Sequence, residues 1–181
     1  PFWLVLCLLG LAVGYPIIPW LELTLVLGLG SLPVLYMQLR RPFSIFGVLW
    51  LALKPTALGE ERRILLTVFR SWRVRLTAPW VAILLIWIGF QLYRMAPVAA
   101  SITPWNDWGR AGGLAIATLG FFGANLFLQV PVSVVQVLLT PEKIFQATQP
   151  YPTLDIKRDF THIGLAVGKL LPTVIPPEPL E

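Results

Sequence analysis

The chain has 181 residues, of which 56% are hydrophobic and only 13% charged, with a net charge of +5. Soluble domains carry roughly a quarter charged residues; here long stretches carry none, which excludes a large water-soluble core and indicates one compact unit embedded in lipid. The positive charges flank apolar runs, so they report membrane topology rather than nucleic-acid binding, and the single cysteine, Cys7, excludes an intrachain disulfide or a cysteine-based metal site within one chain.

Residues 1–13 are apolar but reach only about 20 Å as a helix, against a hydrocarbon core of about 30 Å. They are expected to be the end of a first span whose beginning lies upstream. The closing Pro176, Pro177, Glu178 and Pro179 are expected to open a Pro-rich tail. After the turn Gly14-Tyr15-Pro16, residues 17–38 form a second span, with Trp20 near its outer end. Glu22 is the one acidic residue in any span. An intramembrane carboxylate is a candidate proton relay. Its position one and a half turns from the span's start also suits an interfacial anchor or a hydrogen bond to a neighbouring segment.

Arg40-Arg41-Pro42 ends that helix. Residues 43–53 are apolar but too short to cross, which predicts an interfacial or re-entrant helix. Residues 59–76 predict an amphipathic helix. Glu60 and Glu61 fall in its first turn, where carboxylates complement the helix dipole, and Leu65, Phe69, Trp72 and Leu76 form one apolar face. Arg62, Arg63, Arg70, Arg73 and Arg75 supply the basic part. Such a helix lies on a lipid surface or offers a docking face to an acidic soluble partner.

Residues 77–94 form the third span, with Trp80 and Trp87 on a shared face, and Trp105 and Trp108 bracket Asn106-Asp107 in an interfacial loop. Residues 111–139 form the fourth. It is longer than a bilayer requires, so it must tilt, protrude or bend at Pro131. A polar tail follows over residues 140–181, with an amphipathic helix expected over 155–171 carrying Lys157, Arg158 and Lys169. Of the 14 lysines and arginines, eight lie between the second and third spans and four after the fourth; only Arg94 and Arg110 remain for the opposite side. This asymmetry predicts both termini in the cytoplasm. The expected fold is an all-α integral membrane four-helix bundle, with a short re-entrant or interfacial helix and cytoplasmic amphipathic helices.

On the fourth span Gly113, Ala117, Gly120 and Ala124 recur at helical spacing. They make a smooth face that another helix can approach closely, and this face is the expected partner contact together with Arg62, Arg63, Arg70 and Arg73. A second face carries Asn125, Gln129, Ser133 and Gln136. These side chains either face a second helix or a cofactor, or satisfy backbone groups freed by Pro131. Asn125, Gln129 and Gln136 are candidate ligands for a chlorophyll magnesium, with lipid, chlorophyll or carotenoid at the bundle surface as the conceivable cofactors. His162, the only histidine, falls in the polar tail, where pigment ligation is not expected. The sequence contains no nucleotide-binding glycine loop, His-Glu metal pattern or nucleophile with a base, so no enzymatic activity is expected.

The runs PFWLVLCLLGLAVG, PVLYMQLRRPFSIFGVLWLALKP, ERRILLTVFRSW and QLYRMAPVAA resemble the cyanobacterial low-complexity-tail membrane proteins. The resemblance covers residues 1 to 139 and is most specific over Gln38–Pro55. Gly59 stands where the family has a hydroxyl residue before the amphipathic helix, which weakens that cap. The resemblance carries no catalytic residues; it implies a cyanobacterial setting and the thylakoid membrane. The resulting expectation is a non-catalytic accessory or assembly subunit of a photosynthetic membrane complex. Its partners would be membrane lipid, subunits of that complex and a soluble cytoplasmic protein, without nucleic acid. The alternatives are a small transporter or channel component, which requires Glu22 and the Asn125–Gln136 stripe to share one cavity, and a pigment-binding membrane protein.

Overall fold

Leucine-, valine- and isoleucine-rich runs without charge have no means of satisfying their backbone in lipid except helix. Accordingly they fold as α1 (Phe2–Leu11), α2 (Pro19–Arg40), α4 (Trp72–Ala99) and α5 (Gly109–Leu138), with α3 (Glu60–Phe69), α6 (Glu142–Ala147) and α7 (Thr153–Asp159) outside them. The computed structural model describes residues 1–42, 47–48, 51–53, 58–161 and 165–167. Three of the helices, within Pro19–Arg40, Val74–Ala99 and Asn106–Leu138, are long and apolar enough to cross a membrane; α1, at 10 residues, falls short. The spanning-length helices therefore number three among the described residues, not the four expected.

The centre of the bundle is α5, which packs against α1, α2 and α4. It runs antiparallel to α1, with Gly10 beside Ala117 and Cys7 beside Gly120, and parallel to α2, with Gly30 beside Phe121 and Gln38 beside Ser133. Cys7, Leu11, Val26, Leu85, Ala117 and Phe121 form the core. The outward faces of α2 and α4 are large and apolar: Leu25, Leu29, Leu32 and Tyr36 on the first, Trp80, Ile83, Leu84 and Trp87 on the second. Exposed apolar faces of this extent match contact with lipid tails. Pro33, Pro79, Pro97 and Pro131 all lie within continuous helices, and α5 runs through Pro131 without interruption.

Three expectations change outside the bundle. The segment expected as an interfacial or re-entrant helix over 43–53 instead contributes β1 (Gly47–Val48) and β2 (Leu51–Leu53), paired antiparallel. The two short strands are stabilised by pairing with a third strand from the tail. That strand, β3 (Leu165–Val167), lies parallel to β2; among the described residues of the helix expected over 155–171, only those of α7 are helical. The amphipathic helix expected over 59–76 ends at Phe69. The chain turns at Arg70-Ser71, and Trp72 and Leu76 belong to α4, where they are exposed. The helical class holds for the bundle, and these short strands are a local addition to it.

The apolar side of α3 faces the tail of the same chain. Leu66, Val68 and Phe69 pack with Ile156 and Phe160 from the tail and with Val137 at the end of α5. Bonds from Thr161 to the Arg41 and Pro42 carbonyls fasten the tail to the end of α2. A small folded cap thus covers the arginine-rich end of the bundle.

Candidate functional site

At the opposite end, α1 stops at Leu11 and leaves carbonyls with no intrahelical partner. A helix terminus close to lipid must find donors elsewhere. Arg110, in the first turn of α5, supplies them: Nη1 donates to the Leu11 and Val13 carbonyls, both at 2.8 Å. The hydroxyl of Thr103 donates to the Leu9 carbonyl at 3.0 Å. The same guanidinium donates through Nε (2.8 Å) and Nη2 (2.5 Å) to the Glu22 carboxylate, which also accepts from the Ile17 amide at 2.8 Å. The Glu22 and Arg110 side chains are 8% and 10% exposed, so the charges meet in a nearly closed environment. Gly14, in a left-handed turn with φ of 63°, lets the α1–α2 connection fold back beside Arg110.

Glu22 is therefore held by a neighbour, as one reading of the sequence expected; the neighbour itself was not identifiable there, because Arg110 lies 88 residues away. A cavity of about 560 Å³ opens beside this clamp, bordered by the end of α1, the last turns of α4 and the start of α5. Tyr93 lines it, with its hydroxyl buried and without a hydrogen-bond partner.

The small-residue face of α5 is filled by α1. A Cβ on Gly113 would lie 2.5 Å from Val13 Cβ, and one on Gly120 would lie 2.5 Å from the Cys7 amide nitrogen; Ala117 is fully buried and Ala124 nearly so. The face expected to meet a partner thus meets a helix of its own chain, since close approach of two backbones is what such a surface offers.

The polar stripe also turns inward. Asn125 Nδ2 donates to the Phe121 carbonyl at 3.0 Å, Gln129 Nε2 to Asn125 Oδ1 at 3.1 Å, and Ser133 Oγ to the Gln129 carbonyl at 2.9 Å. Gln38 of α2 reaches Ser133 at 3.4 Å, which links two helices through the ladder. Asn125 and Gln129 are buried and Gln136 is half-buried, so the first two do not present themselves to a pigment at the bundle surface. The bond from Ser133 to the Gln129 carbonyl is a side-chain bond back along the same helix; the carbonyl that Pro131 leaves without its amide partner is that of Phe127, four residues back, and it is not the one Ser133 meets. Nor do Glu22 and this stripe share a cavity. Along α5, the fifteen residues from the Glu22-paired Arg110 to Asn125 separate them by about 22 Å.

Of the four arginines expected to meet a partner, Arg62 is exposed, while Arg63 bonds Thr153 Oγ1 at 3.2 Å and the Tyr151 carbonyl. Arg70 donates to the Tyr151 hydroxyl and pairs with Asp159. The Tyr151 hydroxyl donates to Asp159 Oδ2 at 2.5 Å. This hydrogen bond, joined by those from Arg158 and Arg70, holds the Asp159 carboxyl well below the usual carboxylate range. Burial, then the bond to Asp159, pushes the Tyr151 phenol up to about 12. Arg63 and Arg70 thus serve the chain's own tail. The side chain of Arg73, and His162, lie outside the described residues. The sequence reading missed Phe121, which packs against Gly30 of α2 and Gly89 of α4 at the meeting point of three helices; the glycines of those two spans were the available signal.

Among the described residues no group of three or more histidine, cysteine or acidic side chains is placed to hold a metal ion. No curated protein and no solved structure matches the chain. The low-complexity tail membrane protein-like family matches it over residues 1–172, across the bundle, the cap and β3, and the chain belongs to that family of membrane proteins.

Proposed function

We propose that the protein is a non-catalytic accessory or assembly subunit of a photosynthetic complex in the cyanobacterial thylakoid membrane, with four spans and both termini in the cytoplasm. The observation that carries this reading is the division of surface. The outward faces of α2 and α4 carry large apolar side chains, while Asn125, Gln129 and Ser133 of α5 turn into the bundle. With the small face of α5 covered by α1, lateral contact with the complex would fall to α4, whose Trp80, Ile83, Leu84 and Trp87 present a broad aromatic and aliphatic strip. On the cytoplasmic side, Glu61 and Arg62 of α3 remain exposed for a soluble partner.

The arginine-rich loop and tail support the cytoplasmic assignment by charge asymmetry, and the family resemblance supports the thylakoid. In this reading α1, packed along the central helix, belongs to the first of the four spans. The test is solubilisation of thylakoids in mild detergent followed by native electrophoresis. Co-migration with a chlorophyll-containing complex, and slower accumulation of that complex in a deletion strain, are expected. Migration as a free monomer with unchanged photosystem content in the deletion strain would overturn the proposal.

A further inference from the structure

A second cavity lies at the arginine-rich end, where the elbow between α3 and α4 meets the elbow between α5 and α6. Its volume is about 740 Å³, in the range of small-molecule sites. Its lining falls within residues 67–77 and 136–148 and so brackets Val74 and Leu138, where the apolar stretches of α4 and α5 end at headgroup depth. None of its lining residues is charged, although arginines stand at positions 70, 73 and 75 of the same elbow. An ionised headgroup gains no ion pair from this lining and gives up part of its hydration.

The polar part of the lining is Thr67, Ser71, Thr77, Gln136, Thr140 and Thr148. Each of the threonines spends its hydroxyl proton on a carbonyl of its own chain: Thr67 on Gln149 at 3.0 Å, Thr77 on Val74 at 2.8 Å, Thr140 on Gln136 at 3.0 Å and Thr148 on Ile144 at 2.5 Å. A threonine hydroxyl has one proton, so these oxygens have only lone pairs left to offer. The Thr67–Gln149 and Thr148–Ile144 bonds are exposed, which leaves those oxygens within reach of a ligand. Ser71 and Gln136, both half-buried, make no side-chain hydrogen bond among the described residues, and their polar atoms are not closed to solvent. An acceptor-rich, uncharged lining repels a phosphate, which is itself all acceptor, and suits a headgroup with several hydroxyl donors. Beside it Trp72, Leu139 and Ile144 supply exposed apolar surface, an indole face for a sugar ring and aliphatic surface for hydrocarbon.

We propose that this cavity binds the sugar headgroup of an uncharged glycolipid, with the threonine oxygens and Gln136 taking the sugar hydroxyls and the acyl chains leaving along Trp72 and Leu139. The inference does not rest on the accessory role proposed above, since it concerns what the chain holds and not what it joins.

The full chain, purified in a polyoxyethylene detergent so that no detergent sugar competes, is stripped of lipid. It is titrated separately with dioctanoyl glucosylglycerol, dioctanoyl phosphatidylglycerol and dioctanoylglycerol, and binding is read by native mass spectrometry and by the thermal midpoint. The glucosyl lipid should bind at least about tenfold more tightly than either other probe, the worth of one to two neutral hydrogen bonds. Gln136→Leu should weaken it about three- to tenfold and leave the dioctanoylglycerol affinity unchanged, a split that misfolding does not produce. Thr148→Val, which removes one of the open acceptor oxygens, should weaken it in the same way. Phosphatidylglycerol bound as tightly as the glucosyl lipid, equal glucosyl-lipid affinity in wild type and both variants, or no bound glucosyl lipid would each overturn the proposal.

Discussion

Arg110 joins Glu22 of α2 to the carbonyls of Leu11, the last residue of α1, and Val13 just beyond it through four hydrogen bonds, so one side chain ties three helices at this end of the bundle. Removing one partner of a buried pair leaves the other charge uncompensated, at a cost of about 3–5 kcal/mol. Arg110→Met should therefore lower thermal stability in detergent by about that amount, and it also strands two carbonyls. The double variant Glu22→Gln with Arg110→Met should recover part of the loss, because the stranded charge is gone. Equal stability of single and double variants would show that the two residues are not coupled. Glu22 stood out in the sequence as a carboxylate in an apolar run. Arg110 read only as one of two outer charges, and the pairing was invisible because nothing local relates positions 88 residues apart.

The seam between α1 and α5 rests on absent side chains at Gly10, Gly113 and Gly120, each of whose added Cβ would strike backbone or a branched side chain of the facing helix. Gly120→Ile should drive α1 off α5 at a cost of about 3 kcal/mol, the upper end for overpacking where backbone cannot yield. Cys7 is fully buried at this contact. A membrane-permeant maleimide should label Cys7 in the variant and leave the wild type unreacted; an unlabelled variant would mean that the seam absorbs the added bulk. The α3–α7 contact has its own pH signature. The Asp159 carboxyl binds its proton less tightly in the native state than in the unfolded chain. Its contribution is complete above about pH 4 and drains away as pH falls through the depressed native value. Tyr151 has the opposite sign: its contribution is complete below about pH 10 and is lost as pH rises through about 12. Asp159→Asn should therefore flatten the fall in thermal midpoint on acidification from about pH 5 to about pH 2.5. A wild-type profile as flat as the variant's would contradict the arrangement.

At the scale of the whole molecule, two ends of different character are separated by the length of the spans. One holds the ion-pair clamp and its cavity, the other a folded cap of α3, α6, α7 and the short sheet. Because Cys7 is buried, single cysteines placed at Ser101 and Gln146, both exposed, report each end against a silent background. An impermeant maleimide applied from the cytoplasmic side should label Gln146→Cys and spare Ser101→Cys; the reverse pattern would invert the topology. The sequence by itself determined that the chain is a membrane protein, where its long helices run, and which end is basic, because hydropathy over about 20 residues and the placement of arginines are local quantities. It also placed the small face of α5 and the polar stripe in the right helix. Only the tertiary structure decided what those faces meet. Gly113 and Gly120 close on α1, the stripe bonds itself and Gln38, and the apolar side of α3 is covered by Ile156 and Phe160 instead of lipid. A smooth or apolar face is equally compatible with lipid, a partner or the chain's own remote segment. The choice among them depends on chain connectivity and packing over many tens of residues, which no local pattern records.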